Sequence, residues 1–240
     1  MAININKSRL SENEFRYERK FLVPDLSYEL LQQYVKTHPA QFKSIYHERH
    51  VNNIYFDTLN YENYYANVDG EMNRLKFRIR WYGDLFSDSQ TPVLEVKIRK
   101  GYVGTKQYVD LPPLTMGSSF SQLKLMNWLK GIQLPDSIRY QLLRQVPSLI
   151  NRYKRCYFLS ADRQFRISID DDISVFSPLS KILGFPTKLP YRVLEVKYST
   201  ENNDLVSKIT SKFPFRMTRS SKYVDGLNFL KESHLSSVAI

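Results

Sequence analysis

The chain has 240 residues, of which 42% are hydrophobic and 14% aromatic, and it carries a formal net charge of +11. This length is enough for one sizeable core, and this composition excludes an intrinsically disordered chain. The excess of positive charge favours a polyanionic partner: a nucleic acid, an acidic membrane surface or a phosphorylated substrate.

Strand patterns dominate the chain. Eight segments rich in β-branched and aromatic residues, bounded by Gly, Pro, Asp or Ser, predict strands. Those of the first half are Phe15–Val23, His50–Thr58, Arg74–Gly83, Pro92–Lys100 and Thr105–Leu111. Those of the second half are Asn151–Ser160, Gln164–Ile173 and Tyr191–Ser199. Helices are predicted at Ser27–Lys36, Ser119–Lys130, Ser137–Val146, Asn203–Phe213 and Lys222–Glu232.

The pentapeptide VLEVK occurs in both halves, at Val93–Lys97 and at Val193–Lys197. Between the two copies, the segment LPPLTMGSS indicates a connection at the midpoint of the chain. The repeat favours two related halves that close one barrel over two separate domains. We therefore expect a single domain over residues 14–232, with an extension at 1–13 and a tail at 233–240.

Several predicted strands carry a charged face. In LKFRIRW, the side chains of Lys76, Arg78 and Arg80 share one face, because successive side chains alternate along a strand. For a single strand, a solvated face is the simpler interpretation. Four other strands repeat the pattern, with faces made of Arg16, Glu18 and Lys20; of Glu95, Lys97 and Arg99; of Arg166, Ser168 and Asp170; and of Glu195 and Lys197. If the sheet closes, these faces converge inside it, and helices packed outside cover the apolar faces.

A barrel lined by Arg and Lys needs multivalent anions to neutralise it, and a linear triphosphate or polyphosphate fits a tunnel. Inward carboxylates add nothing to anion binding, whereas Mg²⁺ and Mn²⁺ require oxygen ligands. Glu18 and Glu195 are therefore the predicted metal ligands. The alternative, in which each carboxylate simply pairs with a neighbouring lysine, is about as compatible with the sequence.

Other common sites are missing from the sequence. There is no G-x-x-x-x-G-K-[ST] and no G-x-G-x-x-G, so a Gly-rich loop does not hold the phosphate. The four histidines lack zinc-site spacing. Tyr55, Tyr61, Tyr64 and Tyr65 are expected in the core and at its rim, although a few such rings could stack on a base.

The sequence also bears on location. The single cysteine, Cys156, allows no internal disulfide, which fits a reducing compartment. No apolar run approaches the roughly 18 residues that a membrane-spanning helix needs, and the first ten residues lack the apolar core of a signal peptide. We expect a cytoplasmic protein.

A series of short motifs resembles a known family. In order they are YERKFLV, NNIYFDT, KFRIRWYG, LEVKIRKG, RCYF, FRISID, VLEVKY and SKYVDGL, and together they cover nearly the whole chain. The chain resembles the triphosphate tunnel metalloenzyme (CYTH-like) superfamily, and within it the polyphosphate polymerase domain of the vacuolar transporter chaperone (VTC) family. The resemblance implies a closed antiparallel tunnel of eight strands, a divalent metal, typically Mn²⁺, and growth of a polyphosphate chain from ATP.

The resemblance also implies roles for single residues. Glu195 resembles the metal-binding glutamate of the family. The expected catalytic cations are Lys20, Arg78, Arg80, Lys97, Arg155, Arg166 and Lys222, and the expected substrate-binding residues are Lys76, Lys106, Lys197 and Ser221. The superfamily pattern E-x-E-x-K has Arg16 in place of its first Glu here, which favours the polymerase branch over hydrolytic relatives. Eukaryotic relatives carry membrane helices that this chain lacks, so coupling to a membrane would require a separate partner protein.

The implied reaction is phosphoryl transfer, in which a terminal phosphate of the growing chain attacks the γ-phosphorus of ATP and ADP leaves. Three alternatives stay open: a triphosphatase that uses water as the acceptor, an adenylyl cyclase on the same fold, and a non-catalytic binder of polyanions or RNA. The interior glutamates argue against the non-catalytic binder, and no nucleic-acid partner is expected. The sequence leaves the oligomeric state open.

Overall fold

The computed structural model describes residues 9–10, 16–86, 88–89, 91–100, 103–117, 120–179 and 186–238. The strands are β1 (Arg9–Leu10), β2 (Arg16–Val23), β3 (Lys43–Asp57), β4 (Arg74–Tyr82), β5 (Asp88–Ser89), β6 (Val93–Lys100), β7 (Val103–Asp110), β8 (Leu114–Thr115), β9 (Val146–Leu159), β10 (Phe165–Phe176), β11 (Thr187–Lys188) and β12 (Arg192–Ser199). The helices are α1 (Tyr28–Lys36), α2 (Glu62–Val68), α3 (Gln122–Lys130), α4 (Asp136–Leu142), α5 (Val206–Thr210) and α6 (Lys222–Val238).

One antiparallel sheet joins both halves of the chain in the order β1-β7-β6-β4-β3-β9-β10-β12-β2, with β11 beside β10. All eight predicted strands lie in it, which confirms a mainly β, α+β fold. Among the described residues no ladder joins β2 to β7, so closure into a barrel stays a prediction. The outer edge of β2 is partly covered, because the Thr218 amide donates to the Lys20 carbonyl at 2.8 Å.

The apolar face of the sheet packs against helices in two clusters. In the first, α3 and α4 cover β4 and β6 through Leu125, Leu129, Ile138 and Leu142, which pack with Phe77, Ile79 and Leu94. In the second, α1 and α5 cover β10 and β12 through Leu31, Val35, Val206 and Ile209, which pack with Ile167 and Val196. These sheet residues alternate with the charged ones, so these helices lie on the side opposite the charge, as predicted.

Helix α6 differs from the prediction, because it packs on the side of the sheet that carries the charged residues. Its Tyr223 and Leu227 join Leu149, Val175 and Val193 in a third apolar cluster. Leu149 lies six residues before Arg155 on β9 and therefore shares its face. Apolar packing against α6 thus covers one end of the charged side.

Both β3 and α2 exceed the sequence prediction. β3 begins at Lys43 instead of His50, and its first residues pair with the end of β9, where Lys43 faces Leu159. These residues are largely exposed, so they lack the alternation that reveals a strand. Helix α2 has no buried residue and begins without a side-chain cap. The buried Asp57 carboxylate holds its start by accepting from the amides of Asn63 and Tyr64 at 2.8 and 2.9 Å.

None of the helices in the described part of the chain combines the length and apolar character needed to cross a membrane.

Candidate functional site

The first VLEVK copy holds two arginines of the neighbouring strand. Arg78 of β4 lies opposite Glu95 of β6, and its Nε donates to the Glu95 carboxylate at 2.7 Å. Arg80 reaches the other oxygen of the same carboxylate at 3.1 Å, and its Nε donates to Asn53 at 2.8 Å. Burial alone would raise the pKa of Glu95, but the two guanidinium groups outweigh it and lower that pKa to about 2. Glu95 therefore stays ionised and fixes both arginines in place.

A second group of charges lies on the other half of the sheet. Asp170 of β10 has no exposed surface, and it accepts from Nη2 of Arg155 on β9 at 2.6 Å. Lys222, the first residue of α6, forms an ion pair with Asp170 Oδ2, the same oxygen that accepts from Arg155 Nη2. Burial would raise the pKa of Asp170, but Arg155 and Lys222 lower it. One buried carboxylate thus orients two cations from two different elements.

Tyr153 connects these two groups. Its hydroxyl lies 3.4 Å from Nη2 of Arg80 in the first half. Its ring centroid lies 5.1 Å from the Arg155 guanidinium and 5.0 Å from the Lys222 ammonium. A cation near an aromatic face is attracted to it, so the ring holds cations of both halves around one point.

The second VLEVK copy forms a quartet of alternating charges with β2. Glu195 lies 3.3 Å from the Lys20 ammonium and 3.1 Å from the Lys197 ammonium. Glu18 lies 4.0 and 3.8 Å from the same two ammonium groups. Burial would raise the pKa of each carboxyl, but Lys197 and Lys20 outweigh it, lowering the pKa of Glu18 to about 2 and that of Glu195 well below its ordinary value. Arg155 also reaches Glu195, at 3.7 Å.

The donor set around Glu195 fits a hard divalent cation. Two ionised carboxylates, those of Glu18 and Glu195, contact the same pair of lysines. Ser168, opposite Glu195 in the ladder, has a buried hydroxyl that finds no hydrogen-bond partner among the described residues. Carboxylate and hydroxyl oxygens suit Mg²⁺ or Mn²⁺. In the described part of the chain, however, no three His, Cys, Asp or Glu side chains are grouped to hold a metal, so other oxygens would have to complete the shell.

Three lysines face this network without a carboxylate of their own. Lys76, Lys97 and Lys106 lie side by side on β4, β6 and β7, and none forms an ion pair within the described residues. Burial, followed by the charges of Arg74 and Lys97, lowers the pKa of Lys76 to about 7. Burial and the neighbouring Lys197 and Lys97 lower the pKa of Lys106 to about 8, although Glu18 opposes them. Mutually repelling ammonium groups on adjacent strands favour an anion between them.

The sequence matches one family over most of its length. The VTC domain model matches residues 15–231. The chain belongs to the VTC domain family. No curated protein matches this VTC domain.

Solved structures similar to this VTC domain include three putative adenylate cyclases. The one from Bacillus halodurans has a TM-score of 0.51 and 14% identity, covering 88% of this chain and 96% of that chain. The one from Hippeastrum is described as having a dominant triphosphatase activity. It has a TM-score of 0.48 and 14% identity, covering 86% of this chain and 92% of that chain. The one from Vibrio parahaemolyticus has a TM-score of 0.47 and 14% identity, covering 90% and 99%. At such identity, the Bacillus halodurans structure shows a shared fold alone.

Most of the residues predicted for the VTC domain site lie on one side of its sheet. Those joined by ion pairs are Glu18, Lys20, Arg78, Arg80, Arg155, Glu195, Lys197 and Lys222. Arg166 is exposed and lies opposite Lys197 in the ladder, at the start of β10. Ser221 precedes α6, and its carbonyl accepts from the Asp225 amide. The side chain of Arg16 lies outside the described residues.

Sequence reasoning gave no role to Glu95, Asp170 or Tyr153. It placed Glu95 and Asp170 on charged faces, but their partners depend on strand register. For Glu95, the sequence did offer a signal, because it occupies the same position in its VLEVK copy as Glu195 does in the other copy. Tyr153 gave no signal, because its contact with Arg80 crosses the intervening strand β3.

Proposed function

We propose that this VTC domain binds a linear triphosphate on its charged side and transfers the terminal phosphoryl group, with ATP as the donor and a growing polyphosphate chain as the acceptor. The observation that carries this proposal is the excess of cations over their carboxylate partners. Among the described residues, Lys76, Lys97 and Lys106 have no such partner, and they lie on the same side of the sheet as arginines that buried carboxylates already hold. A chain of phosphates would supply the missing negative charge at successive points.

The fixed arginines support transfer as well as binding. Phosphoryl transfer depends chiefly on positioning and on electrostatic stabilisation of the transferred group. Arg78 and Arg80 on Glu95, and Arg155 on Asp170, would meet the phosphate oxygens with little further loss of side-chain freedom. Lys20, Lys197, Lys222 and Arg166 would add charge around them, and Ser221 lies beside Lys222. No protein nucleophile is needed.

We also propose that the sheet closes into a tunnel around this site. Glu18 lies on β2, at the opposite end of the hydrogen-bonded path from β6 and β7. Its charge nevertheless acts on Lys97 and Lys106 strongly enough to affect their pKa values. This effect across the hydrogen-bonded path supports a sheet that curls so that its two ends approach each other. A tunnel would surround a linear phosphate chain with cations.

Glu195 and Glu18 would hold a divalent metal in this proposal. Bound there, Mg²⁺ or Mn²⁺ would supply positive charge to the phosphate oxygens. Lys20 and Lys197, which contact these carboxylates in the structure, would lie beside this metal site.

Hydrolysis is the second candidate function, because the exposed Lys97 shows that water reaches the charged side. Incubation of the purified chain with ATP and Mn²⁺ or Mg²⁺, followed by separation of the products, decides between the functions. Polyphosphate with ADP would support polymerisation, and orthophosphate with ADP would support hydrolysis. Cyclic AMP, or unchanged ATP from a protein that binds it, would overturn both.

A further inference from the structure

A group of stacked side chains extends the charged side away from α6. The group consists of Tyr46, Arg49, Tyr82 and Tyr157, and we call it the aromatic platform. The Arg49 guanidinium lies 4.0 Å from the Tyr82 ring centroid, 5.1 Å from that of Tyr157 and 5.8 Å from that of Tyr46. The Tyr46 and Tyr157 rings meet edge to face at 5.5 Å.

The platform continues the strands that carry the arginines of the proposed triphosphate site. Tyr82 follows Arg80 by two residues on β4, and Tyr157 follows Arg155 by two residues on β9. Residues two apart share a face and lie about 7 Å apart along a strand. Arg49 pairs with Arg155 in the ladder, and the Arg155 guanidinium lies 5.9 Å from the Tyr157 ring. The platform therefore lies two residues further along β4 and β9 than the arginines that are proposed to bind phosphate.

The platform is not part of the core. Tyr46 is 55% exposed and Tyr82 is 46% exposed, and Arg49 is exposed as well. Within the described residues Arg49 forms no ion pair with a carboxylate, so its planar cation is available to a ligand. The tyrosines named from the sequence as stacking candidates lie elsewhere. Tyr55, Tyr61 and Tyr64 pack with the apolar cluster under α6, and Tyr65 packs edge to face against Tyr64.

We infer that the aromatic platform binds the nucleobase of a nucleoside triphosphate whose phosphates occupy the charged side; this inference rests on the proposed function. Planar bases stack on aromatic rings and on guanidinium groups, and the attraction depends little on which base is present. ATP and GTP should therefore bind alike. The platform selects a nucleotide over inorganic polyphosphate as the incoming donor, a choice that the lysines and arginines cannot make.

The test compares two ligands that differ only in the base. Calorimetric affinities without metal are measured for ATP and for ribose 5-triphosphate, with inorganic tripolyphosphate as the reference. The proteins are wild type, Tyr82→Ala, Tyr82→Phe and Tyr140→Ala. Tyr140 is the matched control, because it is an exposed tyrosine 5.6 Å from an arginine, Arg144, away from the site.

We expect wild type to prefer ATP over ribose 5-triphosphate by about ten-fold, the scale of one stacked base. Tyr82→Ala should bring this ratio close to one, whereas Tyr82→Phe and Tyr140→Ala should keep it. If thermal unfolding shows that Tyr82→Ala is not folded, Arg49→Gln is used and should lower the ratio in the same direction. The platform proposal alone is wrong if wild type binds tripolyphosphate but has equal affinities for ATP and ribose 5-triphosphate. It is also wrong if the folded variant keeps the wild-type ratio of these affinities. Wild type that does not bind tripolyphosphate overturns the proposed function itself.

Discussion

Single carboxylates on the charged side act as anchors for cations. Glu95 holds two arginines, and Asp170 holds Arg155 and Lys222, so each anchor leaves a net positive charge. Removing one partner of a buried ion pair destabilises the fold, because the remaining charge is left buried without a partner. These carboxylates therefore position the cations without cancelling them, which is what an anion site requires.

Arg80→Ala should weaken triphosphate binding. Arg80 contacts Glu95, Asn53 and Tyr153, so its guanidinium is fixed where the two halves meet. One charge-assisted contact contributes roughly 1.5–3 kcal/mol, so we expect metal-free tripolyphosphate affinity to fall by about ten-fold or more. Calorimetric titration checks this, with Arg139→Ala, an exposed arginine on α4, as the control. Equal affinities for wild type and Arg80→Ala would remove β4 from the site.

Glu195→Gln should separate binding from turnover. The substitution keeps the size of the side chain and removes the charge that would hold a divalent cation. Metal-free triphosphate affinity should persist or rise, because a negative charge leaves a cationic site, while metal-dependent product formation should fall by orders of magnitude.

Product formation is measured against Mn²⁺ concentration for wild type, Glu195→Gln and the exposed control Glu201→Gln. If Glu195 only pairs with Lys20 and Lys197, the variant should lose some stability and keep the wild-type dependence on metal. That result would contradict the assigned metal ligand.

Lys76 should make binding depend on pH. Burial and the neighbouring Arg74 and Lys97 lower its pKa to about 7, so in the free protein it loses its proton near neutrality. An anion binds the protonated lysine, so metal-free tripolyphosphate affinity should be highest below that pKa and fall as the pH rises through it. The loss of one charged contact corresponds to about a ten-fold fall in tripolyphosphate affinity between about pH 6 and 9.

The measurement compares the pH profiles of wild type and Lys76→Gln. The ionisation of tripolyphosphate itself is common to both proteins, so the difference between the profiles isolates Lys76. Parallel profiles would mean that Lys76 does not contact the ligand.

At the level of elements, the position of α6 depends on Gly226. A Cβ there would lie 2.8 Å from a methyl group of Leu149 and 2.9 Å from one of Val175, and both side chains are fully buried. Gly226→Ala gains about 1 kcal/mol of helix propensity, but overpacking a core costs about 1–3 kcal/mol and moves the backbone.

We expect Gly226→Ala to lower the melting temperature and to weaken tripolyphosphate binding, because Lys222 at the start of α6 would shift from Asp170. Gly117→Ala is the matched control, since nothing lies within 4 Å of its added Cβ. A melting temperature equal to or above that of wild type would show that α6 can move away without cost.

The sequence predicted the elements better than their contacts. Alternating patterns gave all eight main strands and their charged faces, because side-chain period follows directly from strand geometry. They missed residues 43–49 of β3, which are exposed and have no apolar face to reveal them. They also placed all helices outside, because an amphipathic pattern shows that a helix has an apolar face but not which side of a sheet that face covers. The contacts of Glu95, Asp170 and Tyr153 depend on register and on strands that are not neighbours.

The whole molecule separates apolar and charged packing on the two sides of one sheet. The apolar side is covered by α1, α3, α4 and α5, and the third apolar cluster, under α6, covers one end of the charged side. The charged side instead brings together cations from β2, β4, β6, β7, β9, β10, β12 and α6, whose mutual repulsion opposes the compact state. This arrangement costs stability in the free protein and makes stability sensitive to a bound anion.

Tripolyphosphate should therefore stabilise the entire fold. A ligand that binds only the folded state adds about 2.7 kcal/mol at about 100 times its Kd. For a chain of this size, this corresponds to a rise in melting temperature of about 5–10 °C. Sulfate at the same ionic strength is the control, because it screens charges and is excluded from protein surfaces without bridging several strands. Differential scanning calorimetry should show a larger rise with tripolyphosphate than with sulfate, and the difference should shrink in Arg80→Ala. Equal rises with both salts would mean that the cations are neutralised one by one, and that no site for a linear phosphate chain spans the sheet.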